Sequence, residues 1–240
     1  MISNAAVESE KFEKIRKQID ELMGAAMHYG HKTHQWNPKM LPYIFTEIQG
    51  THIIDIVQTL SCLKKACNFV EECASQGKSF LFVGTKPTFS HLIERAAKQS
   101  NSHYVNSRWL GGTLTNWETM QKRLEKFKKL EKLEQSGILD LLSTKESRHL
   151  KKKLAKLHKY LDGIKNMDKL PGAIIVIDQH RDITAIKEAR ALDIPIISIL
   201  DTDCNPDIID IPIPGNDDSH KSIKLVTQSL VNKIISGGKK

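Results

Sequence analysis

The sequence predicts an α/β protein: a mainly parallel β-sheet with helices on both faces, interrupted by an inserted antiparallel helical hairpin. Three observations lead there. Short apolar runs at residues 80–83, 173–177 and 196–200 alternate with helical patterns, as expected of strands buried on both faces. Leu150, Leu154, Leu157, Leu161 and Ile164 recur at spacings of four, three, four and three, the seam of a helix paired with another. Trp117, Met120, Leu124 and Phe127 give a matching seam on the preceding stretch.

Taken in order, an N-terminal helical pattern runs to about Met27. Residues 43–48 and 52–54 read as a short hairpin turning at Gln49-Gly50. Residues 57–74 read as a helix ended by Gly77. A buried strand follows at 80–83, a helix at 91–98 and a short strand at 103–105. The inserted hairpin breaks near Ser136-Gly137, and Ser143-Thr144 opens its second helix. The alternation resumes with a strand at 173–177, a helix at 183–191, strands at 196–200 and 209–213, and a helix at 219–235. The expected divisions are an N-terminal helical segment (1–27), a first core part (28–112), the basic hairpin (113–167) and a second core part (168–240). The chain carries no internal repeat and no low-complexity tract.

A chain of 240 residues buries roughly 70–75% of its unfolded surface, so it needs no covalent staples. The four cysteines, Cys62, Cys67, Cys73 and Cys204, form no Cys-x-x-Cys pair. Free buried thiols in a reducing compartment are expected, rather than a disulfide framework or a zinc knuckle. No apolar run approaches the length of a membrane span. The first residues mix glutamates with lysines, unlike a secretory signal or a transit peptide, so the expectation is synthesis in the compartment of use.

The net charge is +8, and its placement is more informative than its size. Residues 122–159 hold thirteen lysines and arginines against five acids, so this segment carries the whole surplus. A solvated helix usually balances lysine with glutamate, and Lys128-Lys129 and Lys151-Lys152-Lys153 do not. The hairpin therefore reads as a surface for an anionic partner.

Residues 108–117 read Arg-Trp-Leu-Gly-Gly-Thr-Leu-Thr-Asn-Trp and stand where the α/β pattern gives way to the hairpin. Trp117 continues the first seam and reads as a packing anchor, whereas Arg108 offers a planar fork for phosphate. Gly84-Thr85-Lys86-Pro87 follows a strand but lacks phosphate-loop spacing; it reads as a turn from which Lys86 reaches a nucleic-acid phosphate. Residues 31–39 interleave Lys32, His34, Trp36 and Lys39, groups that RNA-binding loops use for phosphate contact and stacking; a partly buried Trp36 among solvated lysines is the competing reading. His28, His31 and His34 are three apart, yet Gly30 and Pro38 argue against one helical face, and packing is favoured over zinc. Asp178, Asp201 and Asp203 fall at carboxyl ends of expected strands, where magnesium for phosphoryl transfer is one reading and turn chemistry the other. No nucleophile elbow, catalytic carboxylate pair or Cys/His constellation stands out.

Together these segments resemble the small ribosomal subunit protein number two (S-two) family. The resemblance rests on His28-Tyr29-Gly30-His31, Trp36-Asn37-Pro38-Lys39-Met40, Pro42-Tyr43-Ile44-Phe45, His52-Ile53-Ile54-Asp55, Val83-Gly84-Thr85-Lys86, Tyr104-Val105-Asn106, residues 108–117, residues 171–188 with Asp193-Ile194-Pro195, and residues 213–218. They occur in family order from about Leu22 onward; the residues from about Ile2 to Asp20 have no clear family counterpart. Leu161-Asp162-Gly163-Ile164-Lys165-Asn166-Met167 and Asp178-Gln179 look plastid-like. His34, Thr113 and Lys86-Pro87-Thr88 depart from the bacterial pattern.

The resemblance implies a flavodoxin-like or Rossmann-like core with a protruding coiled-coil hairpin. It implies a non-enzymatic constituent of the small ribosomal subunit, in the plastid stroma or alternatively a bacterial cytoplasm. The implied partners are small-subunit rRNA and neighbouring ribosomal proteins, with no membrane, small-molecule substrate, cofactor or metal. The residues expected to meet RNA are Lys32, Trp36, Lys39, Lys86, Arg108, Lys122, Arg123, Lys126, Lys151, Lys152, Lys153 and Lys156. Two other readings are weighed against it: a magnesium-dependent phosphoryl-transfer enzyme using Asp178, Asp201 and Asp203, and a coiled-coil module for an acidic protein.

Overall fold

A computed structural model describes residues 2–141 and 143–239. In chain order the regular elements are α1 (Ile2–Gly24), β1 (Tyr29–Lys32), β2 (Ile44–Ile48), β3 (Thr51–Ile54), α2 (Ile56–Ser75), β4 (Phe80–Val83), α3 (Ser90–Gln99), β5 (His103–Val105), α4 (Trp117–Gln135), α5 (Thr144–Leu161), β6 (Ala173–Val176), α6 (Ile183–Ala191), β7 (Ile196–Leu200), β8 (Ile211–Pro214) and α7 (His220–Gly237). The strands form a three-stranded sheet in the order β1-β3-β2 and a five-stranded sheet in the order β5-β4-β6-β7-β8. The described pairs of the larger sheet are parallel, and helices surround it, so the flavodoxin-like α/β class stands.

The chain forms two compact units. One contains the described residues up to Gly77, residues 177–180 and those from Ile197 onward. Here Asp55 starts α2 by accepting from Val57 N at 2.9 Å and Gln58 N at 3.3 Å, which satisfies two orphan donors of the first turn. Helix α2 buries Leu63, Ala66 and Val70, and α7 buries Val226, Leu230 and Val231; the two helices pack together. Thr59, fully buried, donates to the Pro214 carbonyl at 2.8 Å and ties α2 to β8.

The small antiparallel sheet contains a strand that sequence reading missed. β1 is Tyr-Gly-His-Lys, with no apolar alternation and a glycine at its second position; it is extended because it pairs with β3, a tertiary cause that local propensity does not report. The expected hairpin is present as β2 and β3, turning at Gln49-Gly50.

The other unit contains residues 78–176 and 181–196. Every residue of β4 and of β6 is buried, which is why these strands read as unbroken apolar runs. Between β5 and β6 the chain forms the hairpin of α4 and α5, which contact each other. Its antiparallel sense shows in the pairs across it. Gln121 donates to the Asp168 carbonyl at 3.1 Å, and further along α4 Phe127 meets His158 edge-to-face at 4.8 Å. Met120, Leu124 and Phe127 of the first seam are buried, as are Leu154, Leu161 and Ile164 of the second. Leu150 and Leu157 are only half-buried, so the regular seam expected of a coiled coil is incomplete. Among the described residues no helix is long and apolar enough to cross a membrane.

The hairpin returns to the sheet through Gly163. A Cβ at this position would lie 2.1 Å from the Tyr104 carbonyl oxygen of β5, a backbone atom that cannot swing aside. Gly163→Ala is expected to lower stability by about 1–3 kcal/mol, the usual cost of overpacking, as measured by urea unfolding. An unchanged midpoint would mean that the hairpin base is not held against β5.

Candidate nucleic-acid interface

The loop at residues 108–117 is organised by a residue outside it. Glu188 of α6 is 8% exposed. Its Oε1 accepts from Trp109 Nε1 at 3.0 Å and Gly112 N at 2.8 Å. Its Oε2 accepts from Leu114 N at 2.9 Å, Thr115 N at 3.3 Å and Thr115 Oγ1 at 3.4 Å. The loop can wrap one carboxylate in this way because Gly112 has φ +82, a region closed to most side chains. Burial pushes the Glu188 carboxyl up, but the donors from Trp109, Leu114, Gly112 and Thr115 together hold it below its ordinary range. Trp109 is thus a buried hydrogen-bonded anchor, and the loop delivers an exposed Arg108 beside the start of α4.

Beside that loop the hairpin carries an open groove of about 750 Å³. Arg123 and Lys126 reach it from α4, Lys153 and Lys156 from α5, and Arg108 from the loop; its apolar lining is Leu110, Leu130, Leu157, Leu161 and Tyr160. Among the described residues no carboxylate lines it. Helical spacing explains the convergence, since residues three and four apart share a face. Five of the residues expected to meet RNA therefore line one concavity. Lys122, Lys151 and Lys152 are exposed on the same helices without lining it.

Lys86 belongs to the same unit, and its ammonium lies 5.5 Å above the Phe89 ring. Its loop is a structural turn: Thr85 donates from N and Oγ1 to buried Asp182 at 3.2 and 2.8 Å. The remaining expected residues lie in the first unit. Lys39 is exposed and pairs with Asp207 at 2.5 Å. Trp36 is half-buried, its ring 5.1 Å from that of His52. Lys32 lines a polar pocket of about 330 Å³ with His31, His34, Asp201 and Asp218.

Sequence reading missed the acceptor and the groove floor. A signal for Glu188 existed: it shares a helix face with buried Ala185 and Ala189, and a carboxylate on a buried face requires donors. Leu110, Leu130 and Tyr160 had no local signal, because their exposure depends on how the two helices and the loop meet.

The carboxylates at the sheet edge do gather within the first unit. Burial, then Asp201, Asp178, Asp218 and Asp203, push Asp217 up to about 8. Asp201, 1% exposed, accepts from Thr202 N and Oγ1 at 2.5 and 3.2 Å. His31 Nδ1 approaches the same oxygen at 3.1 Å, at ion-pair distance but out of line for a good hydrogen bond. That contact with Asp201, opposed by burial, raises His31 to about 9. Ligand atoms of His31, Asp201 and Asp203 lie within 4.8 Å of one another, as do those of His180, Asp203 and Cys204. These are the described groups with metal-ligating chemistry. His28 and His34 belong to neither, so the three spaced histidines do not converge.

An α/β sheet interrupted by a cationic helical hairpin is the scaffold that carries this groove. The chain belongs to the Ribosomal protein S2 family, which matches residues 22–237. It is 54% identical to "Small ribosomal subunit protein uS2c" of Trieres chinensis over 219 residues, covering 91% of this chain and 96% of the relative. It is 52% identical to the protein of that name from Gracilaria tenuistipitata var. liui, covering 91% and 95%. It is 50% identical to "Small ribosomal subunit protein uS2" of Trichormus variabilis, covering 91% and 83%. The enzymatic and acidic-protein readings gain nothing from these relatives.

Two stability predictions follow from the buried carboxyls. Glu188→Gln turns one acceptor oxygen into a donor facing N–H groups and is expected to cost roughly 2–4 kcal/mol. Because the folded value of Glu188 is depressed, its stabilisation is present above the unfolded carboxyl range and lost as pH falls through the folded value. Acid titrations of Tm should therefore converge for wild type and variant; parallel curves would sink the assignment. Asp217 has the opposite sign. Its folded value is raised from 3.8 to about 8, so its contribution is present below the unfolded value and lost as pH rises toward 8. Asp217→Asn should flatten the decline in Tm between pH 5 and 8, and an unaltered slope would show that Asp217 titrates normally.

Proposed function

We propose that the chain is a structural constituent of the small ribosomal subunit, binding its rRNA and neighbouring ribosomal proteins, without catalytic chemistry. Family membership supports this reading. The observation that carries the RNA contact is the groove, where five cations from three segments converge with no lining carboxylate among the described residues. Arg108, Arg123, Lys126, Lys153 and Lys156 form this main contact. Lys122, Lys151 and Lys152 extend it along the hairpin. Lys32, Trp36, Lys39 and Lys86 supply separate contacts from the core. The hairpin at 113–167 acts as an insertion dedicated to this surface. The uS2c relatives place the protein in the plastid ribosome, with a bacterial-type cytoplasm as the alternative that the cyanobacterial relatives fit.

Phosphate contacts release counterions, so affinity for a small-subunit rRNA fragment should fall steeply as salt rises. Arg123, Lys126, Lys153 and Lys156 are exposed, and changing all four to Gln should leave the fold intact. The log–log salt slope should become shallower by up to about 4, with affinity lost at every salt concentration. Filter binding across a salt series measures both. A slope equal to that of wild type would remove the groove from the RNA contact.

A further inference from the structure

We propose that the groove between α4 and α5 receives the base of an unpaired nucleotide, with the flanking phosphates held by its cationic rim. This rests on the RNA-binding reading above and deepens it. Cations alone would suffice for a duplex, whose backbone is a convex ridge and whose stacked bases offer no free π-face. Such a ridge would meet the rim and leave the floor unused. The floor is built for something else: Leu110, Leu157 and the half-buried Tyr160 line it below Arg123, Lys126, Lys153 and Lys156. Tyr160 supplies a π-face, and Lys159 lies 5.7 Å above its ring centroid, so cation and aromatic are already juxtaposed there.

The shape fits a nucleotide better than a protein segment. A volume of about 750 Å³ is that of a small-ligand site, whereas a two-turn helix about 11 Å long and about 10 Å wide already exceeds it. Arg123 with Lys126, and Lys153 with Lys156, are each one helical turn apart on opposite walls, so phosphates on both sides of a turned-out base meet cations. Leu157 and Leu161 of the regular seam both line the groove, and Leu157 is the half-buried one of the two.

The test compares three probes at fixed salt: a short single-stranded RNA, the duplex of the same sequence and an abasic strand of the same length. Wild type should prefer the single strand. Stacking is worth about 1–3 kcal/mol per base, so Tyr160→Ala should lower single-strand affinity by roughly 5- to 150-fold and leave duplex and abasic binding unchanged. Tyr160→Phe should retain wild-type affinity, and Leu157→Ser should weaken single-strand binding in the same selective way. Equal binding of all three probes by wild type and Tyr160→Ala would overturn the proposal while leaving the rRNA reading intact. Competition by an acidic amphipathic peptide but not by the single strand would overturn it in favour of a protein partner. The rRNA reading itself fails only if wild type does not bind the rRNA fragment.

Discussion

One carboxylate fixes the loop from which the cationic hairpin departs. Glu188 gathers donors from Trp109, Gly112, Leu114 and Thr115, and those residues are the loop from which α4 departs. A buried charge is costly unless its lone pairs are filled, so the loop has one conformation that satisfies the carboxylate and many that do not. The direction of α4, the position of Arg108 and hence one wall and one end of the groove all follow from that choice. Gly112 is the backbone concession that makes the wrap sterically feasible, and Trp109 fills the space with an apolar body while giving its N–H to the acceptor.

The charge distribution shows why such rigidity is useful. The whole positive surplus sits on residues 122–159. Lysines on a flexible arm would bind polyanions through counterion release alone, without register. Cations fixed on two walls of a groove present phosphates with a defined spacing, and they lose less conformational freedom on binding than a mobile arm would. Phe127 with His158 holds α4 to α5, and Glu131 with Lys165 ties α4 to the segment after α5, so the contacts that fix the cations in place are also those that stabilise the hairpin.

Most of the fold was legible because its elements carry local signals. β4 and β6 are apolar throughout, α2 has its Asp55 cap and terminal Gly77, and the hairpin helices have their seams and the Ser143 cap. β1 was not legible, because Tyr-Gly-His-Lys becomes a strand only through β3. The site was legible in its charges and not in its floor. Lysine and arginine counts show where the positive charge lies, but Leu157 looks like an ordinary seam residue, and Tyr160 carries no signal, until the loop and helices are seen to leave them half-exposed. Their role is a consequence of three segments meeting, and no window of sequence contains all three.

The carboxyl edge of the sheet contrasts with the hairpin. Open α/β sheets place ligands at the carboxyl ends of their strands, and here that edge in the first unit carries Asp178, Asp201, Asp203, Asp217 and Asp218. Burial and then the neighbouring carboxylates raise Asp217 to about 8, and the contact with Asp201 raises His31 to about 9. The insertion between β5 and β6 carries the opposite charge. Fold and charge separate here: the sheet is an α/β scaffold, while the positive surplus resides in a hairpin inserted between two of its strands.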